Sequence, residues 1–393
     1  MLRALSAVLL AALLLPAQQP DDEPIALEDP YTEGEEQAMK AAGIVGYGPY
    51  PWADGVSTTD VDKVLGSSRM IWMETAHFRI GSNLRAAKVP EEAEEKKSLQ
   101  AEVRTLREKL PRVKDKPRQL DPWLRMHLYA QRAEQLYSDW CAMMGVSDAD
   151  FGDGKAVRSG KYLGLPDKFL VLLFDKKSDL SRHMDRFCGV KADKSYRHYH
   201  QKSFQLLAAL AREGFEDANE LALQSHFAYS LTMNFTNGYM GYYYDLPCWL
   251  LEGIAHGFAR KVPTKFVNIS IEDEAVDAQR QHLWPQRIRA RVGFDHFPKS
   301  AELLAIHDYK EFDYAAHLMS WSRVDFLRKQ DEAAFGKLVR GLKTMALPAT
   351  GGTLPFEQVH ARQLELLKEL YDLDPESFDA KWKEHVLKTY PKK

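Results

Sequence analysis

Two apolar helical segments joined by a turn rich in Gly and Tyr constrain this chain more than any other part of its sequence. The first is expected over residues 216–234, and the second from Pro247 to Val262, because proline favours the first turn of a helix. The first carries His226, and the second carries Glu252 and His256 one helical turn apart. Polar groups set among apolar helices need partners. We therefore expect a functional site between these two helices.

Composition limits the class of protein to which such a site could belong. The chain has 393 residues, of which 45% are hydrophobic and 28% are charged, as expected for one large or two ordinary globular domains. Lys and Arg number 53 against 56 Asp and Glu, which gives a net charge of -3. This balance provides no overall electrostatic attraction to nucleic acid or to an anionic membrane surface. Neither partner is predicted.

The N-terminus has the layout of a secretory signal peptide. A single Arg3 precedes an apolar run over residues 4–15, which ends in Pro16 and Ala17 before an acidic segment. The run is too short to cross a bilayer comfortably. Residues 1–17 are therefore predicted to be a signal peptide, with an uncleaved anchor as the alternative. We expect an exported protein, in the periplasm, outside the cell or in the cell envelope, whose mature chain has no membrane span.

Composition and periodicity divide the chain before the site. Residues 18–66 are rich in acid, Pro and Gly without a sustained period, which predicts an irregular leader. Residues 71–80 predict one strand. Residues 90–118 carry a narrow apolar stripe among many charges, which predicts a solvated hairpin or an edge helix inserted in this half. Residues 122–144 predict a buried helix, and the apolar run over residues 168–174 predicts a strand covered on both faces.

The cysteines and one pair of histidines give weaker signals. The three cysteines, Cys141, Cys188 and Cys248, are widely spaced, so they can close at most one disulfide and propose no structural zinc site. His198 and His200 would point to the same side of a strand, which is a geometry that can bind a metal. No acidic residue or Cys accompanies them in the local sequence, so they are predicted to be surface or edge-strand residues.

The order of elements resembles the peptidase-MA-like branch of the gluzincin metallopeptidases. A strand containing His77-Phe78 is followed by a helix, an apolar strand over residues 170–174, and a helix that carries His226. The motif P-x-W-L-x-E-G-x-A then occupies residues 247–255 and is the specific part of the resemblance. The likeness extends from about Ile71 to the C-terminal helices.

This resemblance implies an α+β, gluzincin-like fold. Residues 67–262 would form an N-terminal half with a small β-sheet and the two site helices, and residues 263–393 a mainly helical C-terminal half. In that family the first site helix carries H-E-x-x-H, whose histidines bind zinc and whose glutamate activates water. The glutamate of W-L-x-E-G is the third ligand, which corresponds here to Glu252.

The chain departs from the family pattern on the first site helix. If His226 is aligned with the second histidine of H-E-x-x-H, Ala222 stands at the first ligand and Leu223 at the general base. If His226 is aligned with the first histidine, Phe227 and Ser230 replace the other two groups. A catalytic zinc needs about three protein ligands and a base that accepts the proton of water. The usual peptidase chemistry is therefore predicted to be absent, with no catalytic residue assigned.

Several functions remain open at this point. No resident cofactor is predicted, although zinc is the ion that a set of His226, Glu252 and His256 would bind. The alternative is that Glu252 and His256 form a polar pair hydrogen-bonded to His226. The leading hypothesis is an exported, inactive peptidase-like protein whose cleft binds a peptide or another extracytoplasmic protein. An active zinc peptidase or hydrolase with an atypical ligand set is the second, and an envelope scaffold with a filled pocket is the third.

Overall fold

The computed structural model describes residues 25–152, 160–215, 220–241, 246–269, 283–345 and 354–392. The helices of these ranges are α1 Glu36–Ala42, α2 Thr58–Leu65, α3 Ala93–Lys109, α4 Pro122–Met144, α5 Lys177–His183, α6 Glu220–Met240, α7 Cys248–Ala259, α8 Trp284–Gly293, α9 Ser300–Leu303, α10 Tyr314–Gln330, α11 Glu332–Lys343, α12 Phe356–Tyr371 and α13 Pro375–Thr389. The strands are β1 Ile44–Tyr47, β2 Ile71–Thr75, β3 Phe78–Ser82, β4 Ala87–Lys88, β5 Gln119–Leu120, β6 Phe169–Phe174, β7 Tyr196–His200 and β8 Gln205–Ala211. The expected α+β class is confirmed.

A six-stranded mixed sheet in the order β1-β2-β3-β6-β8-β7 organises the N-terminal half. Strands β3, β6 and β8 are parallel, and the remaining neighbours are antiparallel. Every residue of β6 is buried, and alternate side chains enter two different cores, Phe169, Val171 and Leu173 in one and Leu170, Leu172 and Phe174 in the other. The prediction of a central strand covered on both faces is confirmed.

Helix α4 begins where the sequence predicts. The Asp121 carboxylate accepts hydrogen bonds from the backbone N–H groups of Trp123 and Leu124, both at 3.0 Å, and proline occupies the first turn. The charged segment forms α3, whose apolar stripe packs against α4 through Leu99 and Val103. It is therefore an edge helix.

The segment predicted as a single strand over residues 71–80 forms two antiparallel strands, β2 and β3. The chain turns between them because the Glu134 carboxylate on α4 accepts hydrogen bonds from Thr75 Oγ1 at 2.6 Å and from the His77 N–H at 3.0 Å. The single-strand prediction is wrong. The partner that fixes the turn lies on a helix distant in sequence, so the local pattern does not show it.

The leader is also more regular than predicted over its described part. It contains α1, β1 and α2, and β1 forms one edge of the sheet. The buried Asp29 carboxylate organises this region by accepting hydrogen bonds from Thr32 at 2.7 Å, from Tyr47, and from the His127 ring at 2.9 Å. Contacts with α4 therefore order a segment whose composition alone favours irregular chain.

Helix α6 continues to Met240, so the prediction that it ends near Asn234 is wrong. The helix passes through Gly238, where an added Cβ would lie 3.2 Å from the Leu165 side chain and 3.4 Å from Phe169. A small residue packs closely against its neighbours here, and this packing outweighs the helix-breaking tendency of glycine. The predicted start near Glu216 lies outside the described residues.

Residues 263–393 are mainly helical where they are described, as predicted. Asp313 and Asp374 cap α10 and α13, and their carboxylates accept hydrogen bonds from the N–H groups of Ala316 at 2.8 Å and Ser377 at 2.9 Å. Within the described ranges, every helix is too short or too polar to cross a bilayer. The predicted signal peptide and most of the loop expected over residues 346–355 lie outside those ranges.

Candidate functional site

A close helix crossing at Gly253 builds the site. Helix α7 passes α10 so closely that a Cβ on Gly253 would lie 2.4 Å from Val324 Cγ2 and 2.7 Å from the backbone oxygen of Ser320. Only glycine fits at this point. The crossing places Glu252, the residue before Gly253, beside His317, which lies on α10.

Three buried side chains meet at this crossing: Glu252, His256 and His317 are 2%, 1% and 7% exposed. His256 Nε2 lies 3.4 Å from Glu252 Oε2, and His317 Nδ1 lies 3.3 Å from the same oxygen. The two ring nitrogens are 3.0 Å apart. Tyr229 on α6 donates its O–H to Glu252 Oε2 at 2.7 Å. Helices α6, α7 and α10 thus each contribute to one polar centre.

These separations match three corners of a zinc coordination tetrahedron. Zinc binds His nitrogen and carboxylate oxygen at about 2.0–2.2 Å, so neighbouring donors in a tetrahedral site are about 3.3 Å apart. The pairs formed by Glu252, His256 and His317 fall at 3.0, 3.3 and 3.4 Å. The Tyr229 hydroxyl would orient the carboxylate from outside, as groups around metal ligands commonly do. This group could therefore hold a metal ion, with zinc fitting its donors.

For Glu252 and His256, the surroundings favour the protonation states that metal ligands require. Burial alone would raise the pKa of Glu252, but attraction by His317 and hydrogen bonding with His256 and His317 outweigh it and hold that pKa well below its usual range. Burial lowers the pKa of His256 to about 4, although the neighbouring Glu252 opposes the shift. Near neutral pH the site therefore offers an ionised carboxylate and a neutral His256 imidazole, the forms that coordinate cations.

His226 lies outside this group. Its Nδ1 is 2.8 Å from the Asn268 side-chain oxygen, and the Asn268 amide in turn donates to Ser225 Oγ at 3.1 Å. The His226 ring lies parallel to that of Tyr229, with centroids 6.1 Å apart, while the Tyr229 hydroxyl points to Glu252. Of the three residues predicted to surround one ion, the structure therefore brings two together and adds His317 in place of His226.

The positions that depart from H-E-x-x-H are core positions. Ala222 is 4% exposed and Leu223 is fully buried, and both belong to the main hydrophobic core. In the other alignment, Phe227 and Ser230 are likewise buried. In either alignment, the residue compared with the general base of H-E-x-x-H, Leu223 or Phe227, is therefore a buried apolar side chain that cannot accept a proton.

The position of His317 could not be recognised from local pattern. Its helix was predicted from the Asp313 cap, but His317 stands among Ala316, Leu318 and Met319, where a histidine ordinarily packs in a core. It follows Glu252 only after a long stretch of sequence, so no helical spacing connects the two residues. The crossing at Gly253 is the feature that joins them.

Acidification provides a test of the His226 environment. Burial lowers the pKa of His226 from 6.5 to about 4, and the hydrogen bond with Asn268 only partly opposes this. Between those values the unfolded chain binds a proton that the folded chain does not, so stability falls as the pH drops through this window. Because His226 is only partly buried as a residue, solvent reduces the effect. We expect the loss of unfolding free energy on acidification to be about 2 kcal/mol smaller in His226→Gln than in the wild type. Urea unfolding at neutral and acidic pH, with a chelator present, measures the difference.

The exposed His296 offers the matched control for this comparison. His296→Gln should keep the pH dependence of the wild type. An equal loss of stability on acidification in wild type and His226→Gln would contradict the assigned environment of His226.

No protein-family model matches this chain, and no curated protein matches it. The resemblance to the gluzincins rests on the motifs described above.

Proposed function

We propose that this chain is an exported, metallopeptidase-like protein that binds zinc through Glu252, His256 and His317, does not hydrolyse peptides by the gluzincin mechanism, and binds a peptide or another extracytoplasmic protein. One combination of features supports the proposal. Glu252, His256 and His317 supply three donors for an ion, whereas the apolar Leu223 stands where the resemblance to H-E-x-x-H implies the general base. The signal-peptide layout of residues 1–17 supports export.

In this proposal peptide hydrolysis does not occur, because the polar groups of the site already have other roles. A bound zinc ion would supply Lewis acidity, but hydrolysis also needs a base for the proton of the attacking water. Glu252 would be occupied as a ligand and as the acceptor of the Tyr229 hydroxyl. Burial and then the charge of Glu252 raise the pKa of Tyr229 well above its usual value, so this phenol stays protonated and does not supply a phenolate base.

The sheet offers a place for a peptide partner. Strand β7 stands last in the strand order and pairs with β8 on one side. An extended peptide can add to such an edge through backbone hydrogen bonds, with side chains on the edge strand setting its preference. Tyr196, at the start of β7, is 40% exposed and could contact such a peptide. Strand addition is therefore the binding mode that we propose.

A zinc hydrolase is the second candidate, and the number of ligands favours it. Structural zinc sites generally have four protein ligands, whereas catalytic sites have three and keep one position for water. Glu252, His256 and His317 supply three. This candidate still needs a base for the attacking water, because Leu223 cannot accept the proton.

Metal analysis of variants tests the zinc site. The purified protein should carry zinc by elemental analysis, and His317→Ala should lose about one equivalent because one of the three donors is removed. His226→Ala is the matched control and should keep the zinc, since His226 is bonded to Asn268. Loss of zinc in His226→Ala with retention in His317→Ala would overturn the assigned ligand set.

An activity assay separates the two functions. Unfolded casein labelled with a fluorophore should bind, as measured by anisotropy, and stay uncut when zinc is added. Glu252→Gln should give the same uncut result. Cleavage by the wild type that Glu252→Gln abolishes would establish the hydrolase, and neither binding nor cleavage would favour the scaffold.

A further inference from the structure

A second group of side chains of the types that ligate metals lies at edge strand β7, beside the core that covers the other face of β6. One turn of π-helix over Met184–Cys188 continues α5 and ends at Gly189, whose positive φ of 66° turns the chain away. Cys188 therefore comes to lie beside His198 and His200 of β7. The ligand atoms of these three residues all lie within 4.8 Å of one another. The Cys absent from the sequence around the two histidines is thus supplied by the preceding helix.

His200 is held in the orientation that a metal ligand needs. Its Nδ1 lies 3.1 Å from Asp54 Oδ2, and the other oxygen of that carboxylate accepts the Ser203 N–H at 2.8 Å. A proton on Nδ1 satisfies Asp54 and leaves Nε2 with a free lone pair. A histidine whose second nitrogen donates to a carboxylate is the usual arrangement around bound zinc.

The free nitrogen of His200 points to a missing partner. The side chain is 2% exposed, and within the described residues Nε2 is buried without a hydrogen bond. A buried polar atom without a partner costs about 1–3 kcal/mol, so native proteins rarely leave one unsatisfied. A metal ion bound by Nε2 would remove that cost.

We propose that Cys188, His198 and His200 form a zinc site distinct from the group at Glu252. A thiolate and two imidazoles are a donor set that zinc favours, and donors of a tetrahedral zinc site lie about 3.3–3.8 Å apart. The ligand atoms now lie within 4.8 Å of one another, so the side chains would close up slightly around a bound ion. The ion would fasten β7 to the helical turn before it, which would fix the edge of the sheet. This inference does not depend on the proposed function.

Cobalt(II) titration of the purified, reduced protein tests the site, because thiolate ligation gives cobalt an intense near-ultraviolet charge-transfer band that oxygen and nitrogen ligands do not. The wild type should develop this band and lose it when zinc is added in competition. Cys188→Ser and His198→Ala should each abolish it. Asp54→Asn, which keeps the shape of the side chain, should weaken cobalt binding about 10–100-fold.

Two control variants separate this site from its surroundings. His317→Ala removes a donor of the other group and should leave the thiolate band unchanged, so the two metal proposals can fail independently. His296→Ala changes an exposed histidine and should also have no effect. A folded wild type that shows no thiolate band, or a band that survives Cys188→Ser, would overturn the proposal. If one site variant does not fold, as judged by circular dichroism, the remaining site variants assign the band, and a wild type without the band overturns the proposal in every case.

Discussion

Replacing Gly253 with alanine is expected to lower the free energy of unfolding by about 3 kcal/mol, the upper part of the range for an overpacked core. The new methyl group would lie 2.4 Å from Val324 Cγ2 and 2.7 Å from Ser320 O, and the backbone of α10 cannot move aside without shifting the helix. That shift would carry His317 away from Glu252, so zinc retention should also fall. Chemical denaturation and elemental analysis of the same preparation measure both effects.

Gly257 provides the control on the same helix. An added Cβ there meets only the flexible end of Arg328, at 4.0 Å. Gly257→Ala should therefore stabilise the protein by up to about 1 kcal/mol through helix propensity alone. Similar effects of the two substitutions would contradict the close crossing of α7 and α10.

Glu220→Gln is expected to destabilise the protein by about 3–5 kcal/mol, because it leaves a buried arginine without its counter-charge. Glu220 begins α6, and its carboxylate pairs with Arg125, which is fully buried on α4, and lies 3.7 Å from Arg132. Burial alone would raise the pKa of Glu220, but attraction by Arg125 and then Arg132 holds it below its usual value. The pair therefore fixes the start of the site helix against α4. Urea unfolding measures the loss.

An exposed ion pair is the appropriate comparison for Glu220. Lys368 and Asp372 are paired at 2.5 Å, but their side chains are 60% and 79% exposed. Solvent screens such a pair, so Asp372→Asn should leave stability essentially unchanged. A loss in Glu220→Gln no larger than that in Asp372→Asn would show that the buried network does not anchor α6.

Sequence patterns predicted the elements that are fixed by interactions between residues only a few positions apart. The cap of α4 at Asp121 and the cap of α10 at Asp313 involve residues only a few positions apart, so their patterns are readable in the sequence. The run over β6 is apolar throughout because both faces of that strand are covered. The leader and the turn between β2 and β3 were not predicted, because their partners, His127 and Glu134, lie on the distant helix α4.

The same distinction applies to the two groups of side chains that could hold a metal ion. Sequence alone determined that Glu252 and His256 share a helix face and that His198 and His200 share a side of β7, because helix and strand periods fix neighbours at those spacings. It also determined that Leu223 cannot act as a base. Only the tertiary structure decided that His317 joins the first pair and Cys188 the second. The physical reason is that a helix crossing at a glycine and a turn after a helix bring side chains together through packing, which no local period records.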